Sequence, residues 1–196
     1  PSPSGRGNEG EAITKSTSFG LASKVKDYFQ LIKFTLSFMV VFSTVVSFLI
    51  GYSEQEFLYN QNKIISVLLL FVAGMLITGS ANAVNQVLEK KSDALMMRTA
   101  KRPVASGRMS INEATAFAVI AGILGVLIMW KCFNFQSAML GLFSLLMYGF
   151  VYTPLKKINS ISVLVGAIPG ALPCLIGWVA ATDTFSTGGW ILFGIQ

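Results

Sequence analysis

The chain has 196 residues, 53% of them hydrophobic and only 12% charged, with a net charge of +6 and no histidine. Together with a mean hydropathy of +0.64, this excludes an ordinary soluble domain, which carries about 25% charged residues. The positive excess could suggest nucleic acid, but it is concentrated beside apolar runs, where it reads as a membrane orientation signal instead.

Residues 1–23 are rich in Ser, Gly and Glu, have no apolar period and read as a flexible N-terminal tail. They lack the apolar core of a secretory signal, and with only Arg6 and Lys15 as basic residues they make a poor mitochondrial presequence. Residues 24–33, KVKDYFQLIK, interleave charge with aromatic and aliphatic side chains, the pattern of a short interfacial helix ahead of a first span. Lys33 lies at the mouth of that span, where a lysine commonly serves as a snorkelling anchor.

Five charge-free runs follow, at 34–53, 64–88, 114–130, 132–155 and 158–182. Each is close to or above the roughly 20 residues that cross about 30 Å of hydrocarbon. A sixth run begins at Thr184 and reaches Gln196, and its 13 residues are too few to span. The expectation is therefore an all-α, multipass transmembrane helical bundle, truncated C-terminally, with residues 24–196 forming the N-terminal part of the membrane domain. With the N-terminus inside, the inward segments 1–33, 89–113 and 156–157 carry 13 Lys and Arg, against 2 for the outward segments 54–63, 131 and 183. That positive-inside bias predicts a cytoplasmic N-terminus. Cys132 and Cys174 lie in apolar surroundings, form no metal-ligand spacing and read as packing residues.

The dense polar stretch NAVNQVLEKKSDALMMRTAKRPVASGR, residues 82–108, holds six of the fifteen Lys and Arg residues. Asn85, Glu89 and Asp93 recur every fourth position, which on a helix leaves about 40° of rotation per step and places all three on one face. An amide oxygen and two carboxylates suit Mg²⁺, which is commonly held by one or two carboxylates together with substrate phosphates. Arg98, Lys101, Arg102 and Arg108 follow, donors suited to phosphate oxygens. The spacing alone is equally compatible with a solvated helix face followed by a positive-inside loop. Upstream, Asn82, Asn85 and Gln86 would be costly against lipid and should face the bundle interior or a water-filled cavity.

Between the fourth and fifth runs, Pro154 predicts extended geometry at Thr153 and a helix end nearby. Tyr152, Lys156, Lys157, Asn159 and Ser160 then fall on the same side as Arg98. The fifth run, SVLVGAIPGALPCLIGWVAATD, carries Gly166, Pro169, Gly170, Pro173 and Gly177, tolerable in a membrane helix whose neighbours satisfy the freed backbone.

Asn85-QVL-Glu89-KKS-Asp93 resembles the NxxxDxxxD motif of intramembrane UbiA-type prenyltransferases, with Glu in place of the first Asp. The following DALMMRTAKRPVASGRMS, together with YTPLK and GAIPGALPCLIGW, resembles the protoheme IX farnesyltransferase (heme O synthase) family within that superfamily. The family's usual Lys-Pro pair stands here as Lys33-Phe34. The resemblance covers roughly residues 24–196 and implies a UbiA-type fold in a bacterial inner membrane. It implies Mg²⁺ on Asn85, Glu89 and Asp93, with Arg98 and Arg102 as catalytic and diphosphate-binding residues. It further implies Lys156, Tyr152 and Lys33 as candidate diphosphate contacts. The implied reaction transfers a farnesyl group from farnesyl diphosphate to protoheme IX, giving heme O. No residue is assigned to heme ligation, since the usual imidazole is missing. The family has nine spans and a second acidic motif beyond this stretch, so residues 1–196 alone are expected to be inactive. Other readings are a prenyltransferase for a quinone or other aromatic acceptor, and a non-enzymatic membrane scaffold or transporter half.

Overall fold

In the computed structural model the described residues are 9–54, 62–156, 158 and 160–196, with side chains described from residue 20 onward except at position 54. They form α1 (Glu9–Leu31), α2 (Phe34–Glu54), α3 (Lys63–Leu88), α4 (Lys90–Leu95), α5 (Ile111–Cys132) and α6 (Phe135–Leu146). A π-helical segment, Met147–Tyr152, continues α6 into the single turn α7 (Thr153–Leu155), followed by α8 (Ser162–Thr182) and α9 (Thr187–Ile195). There is no strand among the described residues.

Among the described residues, five helical stretches are long and apolar enough to cross a membrane: Phe34–Ser53, Lys63–Leu88, Ile111–Cys132, Phe135–Leu155 and Ser162–Thr182. A bilayer offers no hydrogen bonds to the backbone, so helices that satisfy their own peptide groups are the way across. Their outer faces carry exposed Phe38, Phe42, Leu68, Ile120 and Leu164, while Asn82, Asn85, Gln86 and Ser137 are buried. This polar-in, apolar-out distribution is that of a multipass membrane protein.

Two helix pairs make the frame: α3 lies along α5, and α2 lies along α8. The second pair is close because of Gly177, where a Cβ would collide with the carbonyl oxygen of Thr44. Small residues that let backbones approach are the usual basis of membrane helix packing. Phe48, Leu70, Ile77, Met129, Leu145 and Ala180 fill the centre between the pairs. A second cluster of Leu31, Val104, Met109 and Ala118 seats the 96–110 loop between α1 and α5. Pro169 and Pro173 stand inside α8 without ending it.

The ends of the bundle sort by charge. Lys24 pairs with Glu113 at 3.0 Å, Arg108 with Asp27 at 2.8 Å and Lys156 with Glu89 at 2.7 Å. The contacts therefore gather 20–33, 89–113 and Lys156 at one end, as the orientation count requires. Lys157, residues 1–8 and most of the 54–63 connection lie outside the described residues.

Three expectations differ from the structure. The stretch read as a tail, 1–23, is helical from Glu9; Ala12, Leu21 and Ala22 are good helix formers, and no proline follows Pro3 until Pro103. The polar stretch is two helices, because α3 stops at Leu88 and Glu89 adopts φ −97°, ψ 2° before α4 begins. Thr153 is helical, at φ −59°, ψ −47°. Its conformation survives the following proline because the preceding turns are π-helical, and this wider winding gives the Pro154 ring room within the helix.

Candidate functional site: a buried carboxylate pair ringed by cations

The break at Glu89 does not scatter the three acidic-motif residues. The Glu89 amide still donates to the Asn85 carbonyl at 3.0 Å, and that of Asp93 to the Glu89 carbonyl at 2.8 Å. Asn85, Glu89 and Asp93 thus stay on one side of the chain, at 0%, 5% and 4% exposure. One guanidinium nitrogen of Arg102 lies 2.7 Å from Asp93 Oδ2 and 3.9 Å from Glu89 Oε2, which bounds the separation of the two carboxylates. Lys156 Nζ sits 2.7 Å from Glu89 Oε1. Carboxylates this deeply buried require such partners, since an uncompensated buried charge is strongly destabilising.

Asn85 is oriented by a residue that sequence reasoning passed over. Its Nδ2 donates to Thr153 Oγ1 at 3.1 Å, while the Thr153 hydroxyl donates to the Tyr148 carbonyl at 2.8 Å. With its proton committed, Thr153 can only accept, so the Asn85 amide is fixed with its oxygen away from Thr153. That oxygen accepts from Lys33 Nζ at 3.4 Å. The signal for Thr153 in the sequence is its place in YTPLK, which says nothing of a bond to Asn85.

Lys33 lies in the two-residue turn between α1 and α2 with φ +48°, a left-handed conformation that costs a non-glycine residue about 1–2 kcal/mol. Burial holds its ammonium at about 8, well below the usual lysine value, with the Arg102 and Lys156 charges adding to the effect. A cation so placed is suited to an anionic ligand rather than to water. Tyr152 stacks on Tyr148 at 5.4 Å between ring centroids, and Lys156 Nζ is 5.6 Å from the Tyr152 ring centroid. The Tyr152 ring also lies against Gly166 of α8, where a Cβ would come within 2.6 Å of Cε2.

The expected basic residues thus separate. Arg102, Lys156 and Lys33 surround the carboxylates. Arg98 is exposed, with no ion pair among the described residues. Arg108 is committed elsewhere: Nε donates to Asp27 Oδ1 at 2.8 Å, and a terminal nitrogen donates to Gln30 Oε1 at 2.9 Å and to the Lys101 carbonyl at 3.0 Å. It ties the 96–110 loop to α1.

The donor chemistry fits a hard divalent cation. Asn85, Glu89 and Asp93 offer oxygen atoms only, and no group of three or more His, Cys, Asp or Glu side chains is placed to hold a metal among the described residues. Two carboxylates and an amide leave coordination positions for water or phosphate oxygens, the arrangement Mg²⁺ favours. Lys33, Arg102 and Lys156 against Glu89 and Asp93 leave the cluster with an excess of positive charge. That excess complements a diphosphate–Mg²⁺ complex, which is net anionic.

Next to the cluster is a cavity of about 240 Å³ between α2, α3, α5, α6 and α8. Ser37, Asn82 and Tyr148 lie at its polar end, and Leu70, Met129 and Ile176 line it further along. A concave apolar cavity with a few polar groups at one end is the usual form of a small-molecule site.

The sequence pattern of the UbiA prenyltransferase family matches residues 34–196. The chain is 43% identical over 176 residues to a protein of Flavobacterium psychrophilum named protoheme IX farnesyltransferase, covering 90% of this chain and 57% of that protein. It is 39% identical over 168 residues to the mitochondrial protoheme IX farnesyltransferase of Arabidopsis thaliana, covering 84% of this chain and 37% of that protein. The chain therefore spans little more than half the length of the bacterial relative and less of the plant one. Among solved structures, it superposes on a digeranylgeranylglyceryl phosphate synthase with a TM-score of 0.72 at 22% identity, covering 87% of this chain and 57% of that one. A UbiA homolog from Archaeoglobus fulgidus, solved with GPP and Mg²⁺, superposes with a TM-score of 0.62 at 17% identity, covering 80% of this chain and 53% of that one. With its helical architecture shared with those structures and the family pattern matched over most of its length, the chain belongs to the UbiA prenyltransferase family.

Proposed function

We propose that the chain carries the diphosphate end of the site, and part of the prenyl cavity, of an enzyme that transfers a farnesyl group from farnesyl diphosphate to protoheme IX, giving heme O. The observation that carries this reading is the buried Asn85–Glu89–Asp93 set, ringed by Lys33, Arg102 and Lys156, beside an apolar cavity. The names of the relatives support the choice of protoheme IX as acceptor, and the GPP- and Mg²⁺-bound neighbour supports a metal-dependent diphosphate chemistry.

Asn85, Glu89 and Asp93 would hold Mg²⁺. When bound, the ion supplies neutralisation of the charge that grows on diphosphate as the allylic C–O bond breaks. The protein's own cations act on the same charge. Lys33, Arg102 and Lys156 are fixed before substrate arrives, so their donors need little reorganisation to meet the leaving oxygens. Arg102 and Lys156 then exchange a carboxylate partner for a phosphate one, an exchange that keeps every buried charge paired. The apolar cavity wall holds the farnesyl chain and keeps water from the reacting carbon. We assign the site to the cytoplasmic side of a bacterial inner membrane, on the basis of the Lys and Arg distribution.

The test is acceptor competition with the protein at its full natural length. Supplied with farnesyl diphosphate, protoheme IX and an aromatic quinone precursor, it should farnesylate the macrocycle, and the Asp93→Ala variant should not. Farnesylation of the aromatic compound instead would move the enzyme to that acceptor class. No transfer to either, with diphosphate left intact, would favour a scaffold or transporter role.

A further inference from the structure

The α1–α2 turn that carries Lys33 is held by two amides of α3. Gln86 Nε2 donates to the carbonyls of Gln30 at 3.0 Å and Leu31 at 2.9 Å. Asn82 Nδ2 donates to the Ile32 carbonyl at 3.1 Å and to Ser37 Oγ at 3.0 Å. The Ser37 hydroxyl itself donates to the Ile32 carbonyl at 2.6 Å. Three consecutive carbonyls, 30 to 32, are thus captured immediately before Lys33, whose φ is +48°. Asn82 and Gln86 are one helical turn apart and flank Asn85, so a single stretch of α3 carries both the pins and the acidic-motif amide.

The two side chains are 5% and 1% exposed. Their oxygens, Asn82 Oδ1 and Gln86 Oε1, are buried and have no hydrogen-bond partner among the described residues. An unpaired buried acceptor is destabilising, so these amides sit here at a cost to stability, and what they deliver is N–H donation to the turn. Capping the end of α1 would account for some of these bonds, since the last carbonyls of a helix lack intrahelical donors. Capping also accounts for the left-handed Lys33, whose amide donates to the Gln30 carbonyl at 3.2 Å, but not for its ammonium ending 3.4 Å from Asn85 Oδ1.

We propose that Asn82 and Gln86 are positioning residues that lock the α1–α2 turn and so place the Lys33 ammonium at the diphosphate site. The proposal rests on the diphosphate reading above for what Lys33 meets, but not for the clamp itself. Neither residue touches the diphosphate, and both act through Lys33.

The experiment has two arms, run on the whole protein in detergent or nanodiscs. In the first, lysines are reductively methylated with ¹³C and the Lys33 resonance is assigned by its loss in Lys33→Arg. Asn82→Leu and Gln86→Met, similar in size but without amide hydrogens, should each shift that resonance toward the position of solvent-exposed lysines. Ser37→Ala, which removes one strand of the same network, is the milder variant should the others fold poorly. Asn134→Leu is the control, because Asn134 also donates to a carbonyl, that of Val179 at 2.7 Å, but lies far from Lys33 along the bundle. An unmoved Lys33 resonance in Asn82→Leu, Gln86→Met and Ser37→Ala would overturn the proposal whatever the enzyme's substrate.

In the second arm, inorganic diphosphate affinity with Mg²⁺ is measured for Asn82→Leu, Lys33→Gln and the double variant. Each single substitution should weaken binding about tenfold, and the double variant should be no weaker than Lys33→Gln alone, since the clamp acts only through that side chain. Losses that multiply would mean a general structural role and would overturn the positioning claim. If Lys33→Gln binds diphosphate as tightly as the unaltered protein, it is the diphosphate reading of Lys33 that fails, and the resonance data then judge the clamp alone.

Discussion

At the scale of single residues, the site is a set of carboxylates that are never without a partner. Arg102 and Lys156 hold Asp93 and Glu89 in the ligand-free state, so the site should keep its form without metal. Activity is another matter. In the protein at its full natural length, Asp93→Ala should abolish turnover at low Mg²⁺ while the protein still inserts and folds, because the change empties a polar interior position and leaves the lipid face alone. Glu89→Asp keeps the charge and should retain much of the activity, whereas Glu89→Gln, a weaker ligand for a hard cation, should lose far more. Steady-state assays at graded Mg²⁺ separate these variants, and near-normal turnover for Asp93→Ala would contradict the metal-site reading. The two arginines should also part company. Arg102→Lys keeps a charge near Asp93 but loses the guanidinium's further donors, which an ammonium cannot offer in the same fork to a diphosphate oxygen, and kcat/KM should fall at least about tenfold, roughly 1.4 kcal/mol. Arg98, exposed and with no ion pair among the described residues, should tolerate lysine with a loss of less than about threefold.

At the scale of elements, the frame depends on how closely α2 meets α8. Gly177→Ala places a methyl group against the Thr44 backbone, which cannot swing aside as a side chain would. Overpacking of this kind costs about 1–3 kcal/mol, so thermal unfolding in detergent should show a lower midpoint, and an unchanged midpoint would mean the α2–α8 contact is looser than described. The sequence made the spans legible because charge-free runs of this length have little alternative. It also displayed the Asn85, Glu89 and Asp93 periodicity, which survives the helix break. The break itself was hidden, since Glu89 and Lys90 are good helix formers and the partners that meet Glu89 there, Arg102 and Lys156, lie elsewhere in the sequence. Thr153 was hidden for the opposite reason. The local rule for a residue before proline gave extended geometry, and a π-helical segment overrode it. Lys33 reads as a common interfacial anchor because the bonds that hold its turn come from Asn82 and Gln86, residues remote in sequence.

At the scale of the whole molecule, charge and apolar surface divide the bundle into an interior, a lipid face and one highly ionic end. The ionic end should face the side to which the Lys and Arg bias points. In a background with Cys132 and Cys174 replaced by alanine, an impermeant thiol reagent added outside intact cells should label Ser53→Cys and not Ser92→Cys. Labelling of Ser92→Cys, or of both, would reverse or dissolve that orientation. The central claim is that the ionic end and the apolar cavity together form one prenyl diphosphate site dependent on Mg²⁺. Calorimetric titration of farnesyl diphosphate into the purified protein, with and without Mg²⁺, tests it most directly. The account predicts saturable binding with Mg²⁺ that weakens at least about tenfold on chelation, a difference of roughly 1.4 kcal/mol, and is lost in Asp93→Ala. Equal affinity with and without Mg²⁺, or undiminished binding by Asp93→Ala, would contradict it.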